Sequence, residues 1–284
     1  MLPTSDNEPI RAGAVILASA SQCPVDPDLL WASLGGRPLL AWSVMECLAV
    51  AALEHVILVV APDRMSQANA LLARLVEQVT EPGQPAPGWR VITPSAGNLA
   101  ARASDPSMPQ GATLVAHATP DSAASTEAPT SERRSGATLA GVQALATLAP
   151  DCEWVVIHEA TRPLASAALM RTGLATAGRA NAGAVAAEPV RETLKRAPDG
   201  VGGHVAETLP RAQLARAQTP QVYRVADLLA ALHQLPPDAD PADEATVAFA
   251  AGLPLVTYPG GHDNLRVTTR ADLPILASLA PTPR

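Results

Sequence analysis

Short segments that are apolar throughout alternate with amphipathic segments along most of this chain of 284 residues. Segments of strand length lie at 14–19, 55–61, 89–93, 153–160 and 183–190, and apolar residues recur with helical spacing at 38–51, 63–78, 135–148 and 166–178. Strands that are apolar on both faces are buried on both faces, and a helix between consecutive strands favours parallel pairing. The pattern therefore predicts an α/β fold with a doubly wound, mostly parallel sheet, and residues 1–284 form a single predicted domain.

The charge and the cysteines exclude several classes of protein. A formal net charge of −7 does not provide the basic surface that nucleic-acid binding requires. The apolar segments are much shorter than the about 20 residues that cross a bilayer, so no membrane span is predicted. Cys23, Cys47 and Cys152 are widely spaced and odd in number, which argues against a disulfide framework or a structural zinc site. The N-terminal segment lacks a signal-peptide pattern, and we expect a cytoplasmic protein.

Residues 94–134 interrupt the alternation of strands and helices. The segment is rich in alanine, serine, threonine and proline, and one short run, ATLVAH at 112–117, has the pattern of a strand. This composition offers too little apolar surface to offset the entropy lost when a long segment becomes ordered. We therefore predict a mostly disordered insertion at 94–134.

The turn after the first predicted strand is where a doubly wound sheet binds its ligand. Its sequence, ASASQCP at 18–24, contains neither a glycine nor a basic residue. It therefore matches neither the GxGxxG pattern of dinucleotide-binding folds nor the GxxxxGK[ST] pattern of P-loops. The turn does not predict NAD binding.

Five motifs follow one another in the second half of the chain. They are HEATRP at 158–163, PVRETLKR at 189–196, AQTPQ at 217–221, DEAT at 243–246 and DNLRVT at 263–268. In this order and spacing they resemble the motifs of the 2-C-methyl-D-erythritol 4-phosphate cytidylyltransferases of isoprenoid biosynthesis. The segments GGRPLLAWSV at 35–44 and HVILVVAP at 55–62 are similar to the same family.

The resemblance implies a nucleotidyltransferase-type sheet with a β-arm at about 191–216 that reaches into the partner subunit of a homodimer. It also implies that CMP is transferred from CTP to 2-C-methyl-D-erythritol 4-phosphate, with release of pyrophosphate. Mg²⁺ is the implied cofactor. Catalysis of this kind depends on bringing two polyanions together and on neutralising the charge that develops.

The resemblance implies roles for individual residues. The acceptor pocket corresponds to Thr193, Arg211 and Thr219, and Arg211 and Arg266 are the implied catalytic cations; the family has a lysine at the place of Arg266. Glu159 stands at the family's acidic position on the metal side. The other implied substrate-binding residues are Arg162, Arg134, Ala18 and Ser19. For Arg162, a salt bridge to a nearby acid is an equal alternative.

His158 and the DEAT motif also have structural interpretations. His158 is expected to be a core or strand-end histidine, because it shows no ligand spacing with the other histidines. The acids of DEAT at 243–246 suit the first turn of a helix, where the helix dipole favours negative charge. A family-like role of this motif in dimer contacts is the alternative.

The first loop departs from the family pattern and leaves three hypotheses open. No lysine or arginine occurs between Arg11 and Arg37, and Asp26 and Asp28 lie there instead. The chain is therefore a divergent active cytidylyltransferase, a non-catalytic relative that binds a sugar phosphate or a partner protein, or a nucleotidyltransferase for another pentitol phosphate or nucleotide.

Overall fold

The structure is a computed structural model, and it describes residues 10–19, 26–80, 88–94, 134–236, 239 and 241–281. The helices are α1 Leu39–Leu48, α2 Met65–Val79, α3 Arg134–Leu148, α4 Ala167–Ala180, α5 Val225–His233, α6 Glu244–Ala250 and α7 Leu273–Leu279. The strands are β1 Ala12–Ala18, β2 Ser33–Leu34, β3 Arg37–Pro38, β4 Leu53–Val60, β5 Gly88–Ile92, β6 Trp154–Glu159, β7 Gly183–Pro189, β8 Lys195–Arg196, β9 Glu207–Thr208, β10 Ala215–Arg224 and β11 Leu255–Pro259. The predicted insertion lies almost entirely outside the described residues.

Seven strands form the central sheet in the order β11-β7-β10-β6-β1-β4-β5. Strand β10 is antiparallel to β6 and β7, whereas the pairs β1–β4, β1–β6, β4–β5 and β7–β11 are parallel. The predicted α/β fold with a mostly parallel sheet is confirmed. Each strand and helix predicted from the apolar pattern is present, with ends that differ by a few residues.

Side chains that alternate along the strands supply two separate cores, one on each face of the sheet. Along β1, Ala14 and Ile16 belong to the core that is covered by α1, α2 and α4. Val15 and Leu17 point to the opposite core, which is covered by α3, α5 and α6. Helices on both faces explain why β1 is apolar at every position, as expected for a doubly wound sheet.

The carboxyl ends of β1 and β6 form the topological switch point of the sheet. From β1 the chain builds β4 and β5 on one side, and it then returns to place β6 on the other side of β1. The two strands are in register, with Leu17 opposite Glu159. In open α/β sheets the crevice outside the carboxyl ends at such a point is where ligands bind. The fold therefore locates a candidate site beside Ala18, Ser19 and Glu159.

Helix α3 packs unusually close to the sheet at Gly141. A Cβ atom at this position would lie 2.4 Å from Val15 Cγ1 and 3.1 Å from Val59 Cγ2. Both valines are buried and β-branched, so neither side chain can move aside easily. The glycine therefore sets the distance between α3 and the strands that carry the switch point.

Gly141→Ala is expected to destabilise the protein by about 1–3 kcal/mol, because the added methyl group overpacks the core. The matched control is Gly178→Ala in α4, where the new Cβ would meet only Ile10 Cδ1 at 3.5 Å. The control should raise stability by about 0.5–1 kcal/mol, since alanine costs less backbone entropy in a helix. Urea unfolding of both variants measures the difference. A stabilised Gly141→Ala variant would contradict the close packing.

Candidate active site

Glu159 ends β6 at the switch point and is surrounded by arginines. Its Oε1 is bonded to Arg134 Nη1, and its Oε2 accepts a hydrogen bond of 3.1 Å from Arg162 Nε. Arg266 Nη2 approaches Oε1 at 3.7 Å. The Glu159 side chain is 5% exposed and the Arg266 side chain 42% exposed. The cluster therefore has a buried carboxylate at its centre and one cation that faces solvent.

Arg134 begins α3 and connects Glu159 to a second buried acid, Glu244 at the start of α6. Arg134 Nε donates to Glu244 Oε1 at 3.1 Å, and Arg134 Nη2 donates to Glu244 Oε2 at 2.6 Å. Thr138, one turn further along α3, donates to the same carboxylate at 2.7 Å. This bidentate pair fixes the starts of two helices against the end of β6. We call Arg134, Glu159, Arg162, Glu244 and Arg266 the edge cluster.

The arginines keep Glu159 ionised although it is buried. Burial alone would raise the pKa of Glu159, but the positive charges of Arg134, Arg266 and Arg162 outweigh it and hold the pKa below its ordinary value. Burial acts to lower the pKa of Arg134, and the charges of Glu244 and Glu159 reverse that effect and raise it. With three guanidinium groups and two carboxylates, the edge cluster carries one excess positive charge.

Hydrogen bonds from neighbouring segments hold Glu159 and Arg162 in place. Thr219 Oγ1 accepts the backbone N–H of Glu159 at 3.1 Å. Arg162 Nη1 donates to the carbonyl of Asn264 at 2.8 Å, and Asn264 Nδ2 donates to the carbonyl of Thr219 at 2.8 Å. The segment that carries Arg266 is therefore tied to β10 and to the turn after β6.

His158 is fully buried beside Glu159, which confirms its interpretation as a core histidine. Its Nδ1 lies 3.2 Å from Thr219 Oγ1. Burial lowers the pKa of His158 from 6.5 to about 4, so the imidazole is neutral at neutral pH.

This pKa predicts a pH dependence of stability. Between pH 6.5 and about pH 4 the unfolded chain binds a proton at His158 and the folded protein does not, so stability falls as the pH drops through this range. The loss should reach at most about 3 kcal/mol. His158→Gln should flatten this part of the curve, and the exposed control His233→Gln should retain it. Urea unfolding at several pH values tests this, and an unchanged slope in His158→Gln would contradict it.

The structure brings most of the expected site residues together and leaves two apart. Arg134, Glu159, Arg162, Arg266 and Thr219 meet at the switch point, with Ala18 and Ser19 at the end of the neighbouring strand. The expected salt bridge of Arg162 is present. Thr193 and Arg211 lie on the exposed segment at 191–216, where Arg211 Nη1 donates to the carbonyl of Arg191. Within the described part of the chain, neither of these two residues forms a hydrogen bond or an ion pair with Glu159.

Two participants were not anticipated. The DEAT motif does begin a helix, because Asp243 caps α6 by accepting the N–H of Thr246. Its second acid, Glu244, however, is 1% exposed and pairs with Arg134. Asn264 is equally buried and connects Arg162 to Thr219. A pair of adjacent acids before an apolar helix is a sequence signal for a capped helix, but it does not reveal which acid turns inward.

Glu159 is not placed to ligate a metal ion in this structure. Both of its carboxylate oxygens are bonded to guanidinium groups, which a cation would have to displace. In the part of the chain that the structure describes, no group of three or more His, Cys, Asp or Glu side chains is arranged to hold a metal. The residues that the structure describes therefore do not fit a protein-held divalent cation, and the metal role implied for Glu159 stays a prediction.

The described residues also include no helix that is both long and apolar enough to span a bilayer. Cys47 and Cys152 are buried free thiols.

A family model described as IspD, 2-C-methyl-D-erythritol 4-phosphate cytidylyltransferase, matches residues 124–279. The chain is 33% identical over 242 residues to the 2-C-methyl-D-erythritol 4-phosphate cytidylyltransferase of Xanthomonas oryzae pv. oryzae strain PXO99A. This match covers 84% of the chain and 70% of the relative.

Another relative is the bifunctional enzyme IspD/IspF of Rhodospirillum rubrum, which is 41% identical over 133 residues. The match covers 47% of the chain and 33% of the relative, so the chain spans about a third of the bifunctional proteins that it matches.

Among solved structures, the 4-diphosphocytidyl-2C-methyl-D-erythritol synthase of Anaerococcus prevotii superposes with a TM-score of 0.67 at 19% identity. The superposition covers 95% of this chain and 98% of that one. At this identity the likeness shows a shared fold.

Proposed function

Because the chain belongs to the 2-C-methyl-D-erythritol 4-phosphate cytidylyltransferase family, we propose that it transfers CMP from CTP to 2-C-methyl-D-erythritol 4-phosphate. A phosphate oxygen of the acceptor attacks the α-phosphorus of CTP. The bond from this phosphorus to the oxygen that bridges to the β-phosphate breaks, and pyrophosphate leaves. The product is a diphosphate diester that joins CMP to the acceptor.

The observation that carries this proposal is the position of the edge cluster at the switch point. In this cluster the half-exposed guanidinium of Arg266 lies 3.7 Å from the buried carboxylate of Glu159, and Glu159 is in register with Leu17 of β1. The carboxyl ends of such strands are where a doubly wound sheet binds phosphates. The reaction brings together a triphosphate and a phosphate monoester, and fixed cations at the reacting phosphorus favour the transition state over the free ligands. Arg266 is the proposed catalytic cation of this chain.

Arg134 and Arg162 have a different proposed role. Their side chains are each 11% exposed, and the donors described above are used on Glu159, Glu244 and the carbonyl of Asn264. They act as positioning residues that hold the end of β6 and the segment of Arg266. Backbone N–H groups at Ala18 and Ser19 complete the proposed nucleotide side, since such groups suit phosphate oxygens.

The acceptor side is proposed to be completed by a second copy of the chain. Thr193 and Arg211 lie on the segment at 191–216, which contains the separate two-stranded sheet of β8 and β9. This segment exposes Leu194, Val201 and Val205. A partner that buries these apolar side chains would also receive Thr193 and Arg211 near its own Arg266.

A homodimer is therefore expected, with Val205→Asp shifting the protein towards monomers because a carboxylate would be buried in the contact. The matched control is Leu279→Asp, which changes an exposed apolar residue outside the segment at 191–216. Light scattering at several protein concentrations gives the mass. A wild-type protein that is monomeric throughout would contradict the proposed arrangement.

The family is generally dependent on a divalent metal. Since the described residues do not fit a protein-held cation, Mg²⁺ is proposed to arrive bound to the phosphates of CTP. Within this chain, the charge of the triphosphate is proposed to be met by arginines and by backbone N–H groups.

Pyrophosphate release tests the proposed reaction. Purified full-length protein with CTP and Mg²⁺ should release pyrophosphate only after 2-C-methyl-D-erythritol 4-phosphate is added. ATP, GTP and UTP in place of CTP should give much slower release. Release that is equal with another nucleotide would indicate a changed substrate, and no release above the enzyme-free control would reject the reaction.

A further inference from the structure

The two aspartates that follow the first loop are both paired with arginines from distant parts of the chain. Asp26 Oδ2 accepts a hydrogen bond of 2.6 Å from Arg270 Nε, and Asp28 Oδ1 is bonded to Arg64 Nη2. These acids are the only charged residues between Arg11 and Arg37. Arg64 is shared, because its Nε also lies 3.4 Å from Asp63 Oδ2. The carboxylates of Asp26 and Asp28 therefore face guanidinium groups in the fold, one of which also serves Asp63.

Both arginines come from segments that end at the edge of the sheet where the edge cluster lies. Arg64 belongs to the short turn at 62–64 that follows β4, and β4 is the parallel neighbour of β1, with Val60 opposite Ala18. Arg270 follows Arg266 by four residues, and between them the N–H of Val267 donates to the carbonyl of Thr161 just beyond β6. The pairs therefore lie on the same edge as Glu159.

We propose that Arg64 and Arg270 provide guanidinium N–H donors to the triphosphate of CTP, in place of the basic side chains that residues 12–36 lack. Asp28 and Asp26 orient these side chains. The inference rests on the proposed function and deepens it by naming the cations of the nucleotide site.

The chemistry of the guanidinium group supports this assignment. Each guanidinium presents five N–H donors in a planar fork and binds phosphate oxygens as readily as carboxylate oxygens. The bond from Arg270 Nε to Asp26 uses one of these donors. Arg64 directs Nη2 to Asp28, Nη1 to Gln67 and Nε towards Asp63, which leaves it two N–H groups. The Arg270 side chain is 59% exposed and the Arg64 side chain 32% exposed, so both are accessible to a ligand.

A purely structural role makes a different prediction, and a double variant separates the two. If Arg270 only neutralises Asp26, its charge is no longer needed once Asp26 is replaced by asparagine. Adding Arg270→Ala to the Asp26→Asn protein then leaves the affinity for CTP unchanged. If Arg270 binds the triphosphate, the same change weakens binding even when Asp26 is already neutral. For Arg64, which also pairs with Asp63, the parallel background is Asp28→Asn/Asp63→Asn, to which Arg64→Ala is added.

The experiment measures the Kd of CTP with Mg²⁺ by isothermal titration of the full-length protein. Asp26→Asn/Arg270→Ala should bind about ten- to a hundredfold more weakly than Asp26→Asn, the loss expected for one charge-assisted contact. The matched control is Arg11→Ala, which removes an exposed partner of Glu54 next to the opposite end of β1 and should leave the Kd unchanged. Equal Kd values for Asp26→Asn and the double variant would overturn the proposal.

Two further readouts separate this inference from the proposed function. Tripolyphosphate serves as a probe of the anion site alone: weaker binding in the double variant supports the inference even if no CMP is transferred. If CMP is transferred at the wild-type rate and Kd by the double variant, the function holds and the inference fails. A wild-type protein that binds neither CTP nor tripolyphosphate overturns the inference.

Discussion

Replacing Glu159 by glutamine is expected to destabilise the protein by about 3–5 kcal/mol, because the change leaves buried guanidinium groups without their counter-charge. Arg162 loses its carboxylate partner, and Arg134 keeps only Glu244. The amide has nearly the same volume as the carboxylate, so the effect reports charge and hydrogen bonding rather than a cavity. Urea unfolding at neutral pH measures it.

Two companion variants make the Glu159 result specific. Glu54→Gln removes a carboxylate from an exposed pair with Arg11 and should change stability little, because exposed ion pairs contribute little. Glu159→Gln/Arg162→Met removes the unpaired charge together with its partner and should recover part of the loss. A Glu159→Gln protein as stable as the wild type would show that the edge cluster does not hold the end of β6.

Replacing Arg266 by alanine is expected to lower kcat by about 10²–10³-fold, the usual cost of removing one charge-stabilising donor. Its stability should stay close to that of the wild type, since the side chain is half-exposed and lies 3.7 Å from Glu159. Arg266→Lys should lower kcat less than Arg266→Ala does, because lysine retains the positive charge although its head group has a different shape. Steady-state pyrophosphate release and urea unfolding give both quantities.

The matched control for Arg266 is Arg179→Ala at the end of α4, an exposed arginine whose Nη2 contacts Thr176. It should retain the wild-type kcat and KM. A loss confined to KM in Arg266→Ala would mean that the residue binds the ground state as strongly as the transition state. An unchanged kcat would remove Arg266 from the proposed catalytic role.

The fold was largely predictable because its signal is local. The runs at 14–19 and 153–160 are apolar at successive positions since helices cover both faces of β1 and β6. Strands β10 and β11 were not predicted. In β10, polar residues such as Gln218 and Gln221 are buried and hydrogen-bonded, so the strand lacks an apolar run.

The site was predictable only as far as its motifs are contiguous. The motifs HEATRP and DNLRVT identify Glu159, Arg162 and Arg266 as candidate site residues. The pairing of Arg134 with Glu244, in contrast, joins residues that are 110 positions apart. No local periodicity encodes such a contact. It follows from the packing of α3 and α6 over the same face of the sheet.

The first loop shows the same limit more sharply. From the sequence, Asp26 and Asp28 argue against a triphosphate, because two negative charges replace the expected cations. In the fold, Arg270 is 244 positions from Asp26 and still lies within hydrogen-bond distance. The net charge of one segment therefore does not predict the local charge in the fold when the counter-charges come from other segments.

Phosphorus NMR of the reaction mixture tests whether the protein transfers CMP, because it observes the new phosphorus–oxygen bond. Protein, CTP, Mg²⁺ and 2-C-methyl-D-erythritol 4-phosphate should give free pyrophosphate and a new pair of coupled diphosphate-diester signals in equal amounts, while the phosphate-monoester signal of the acceptor disappears. This result would establish the bond that the account requires. A spectrum in which the acceptor monoester and CTP persist unchanged would contradict the claim that this family member transfers CMP.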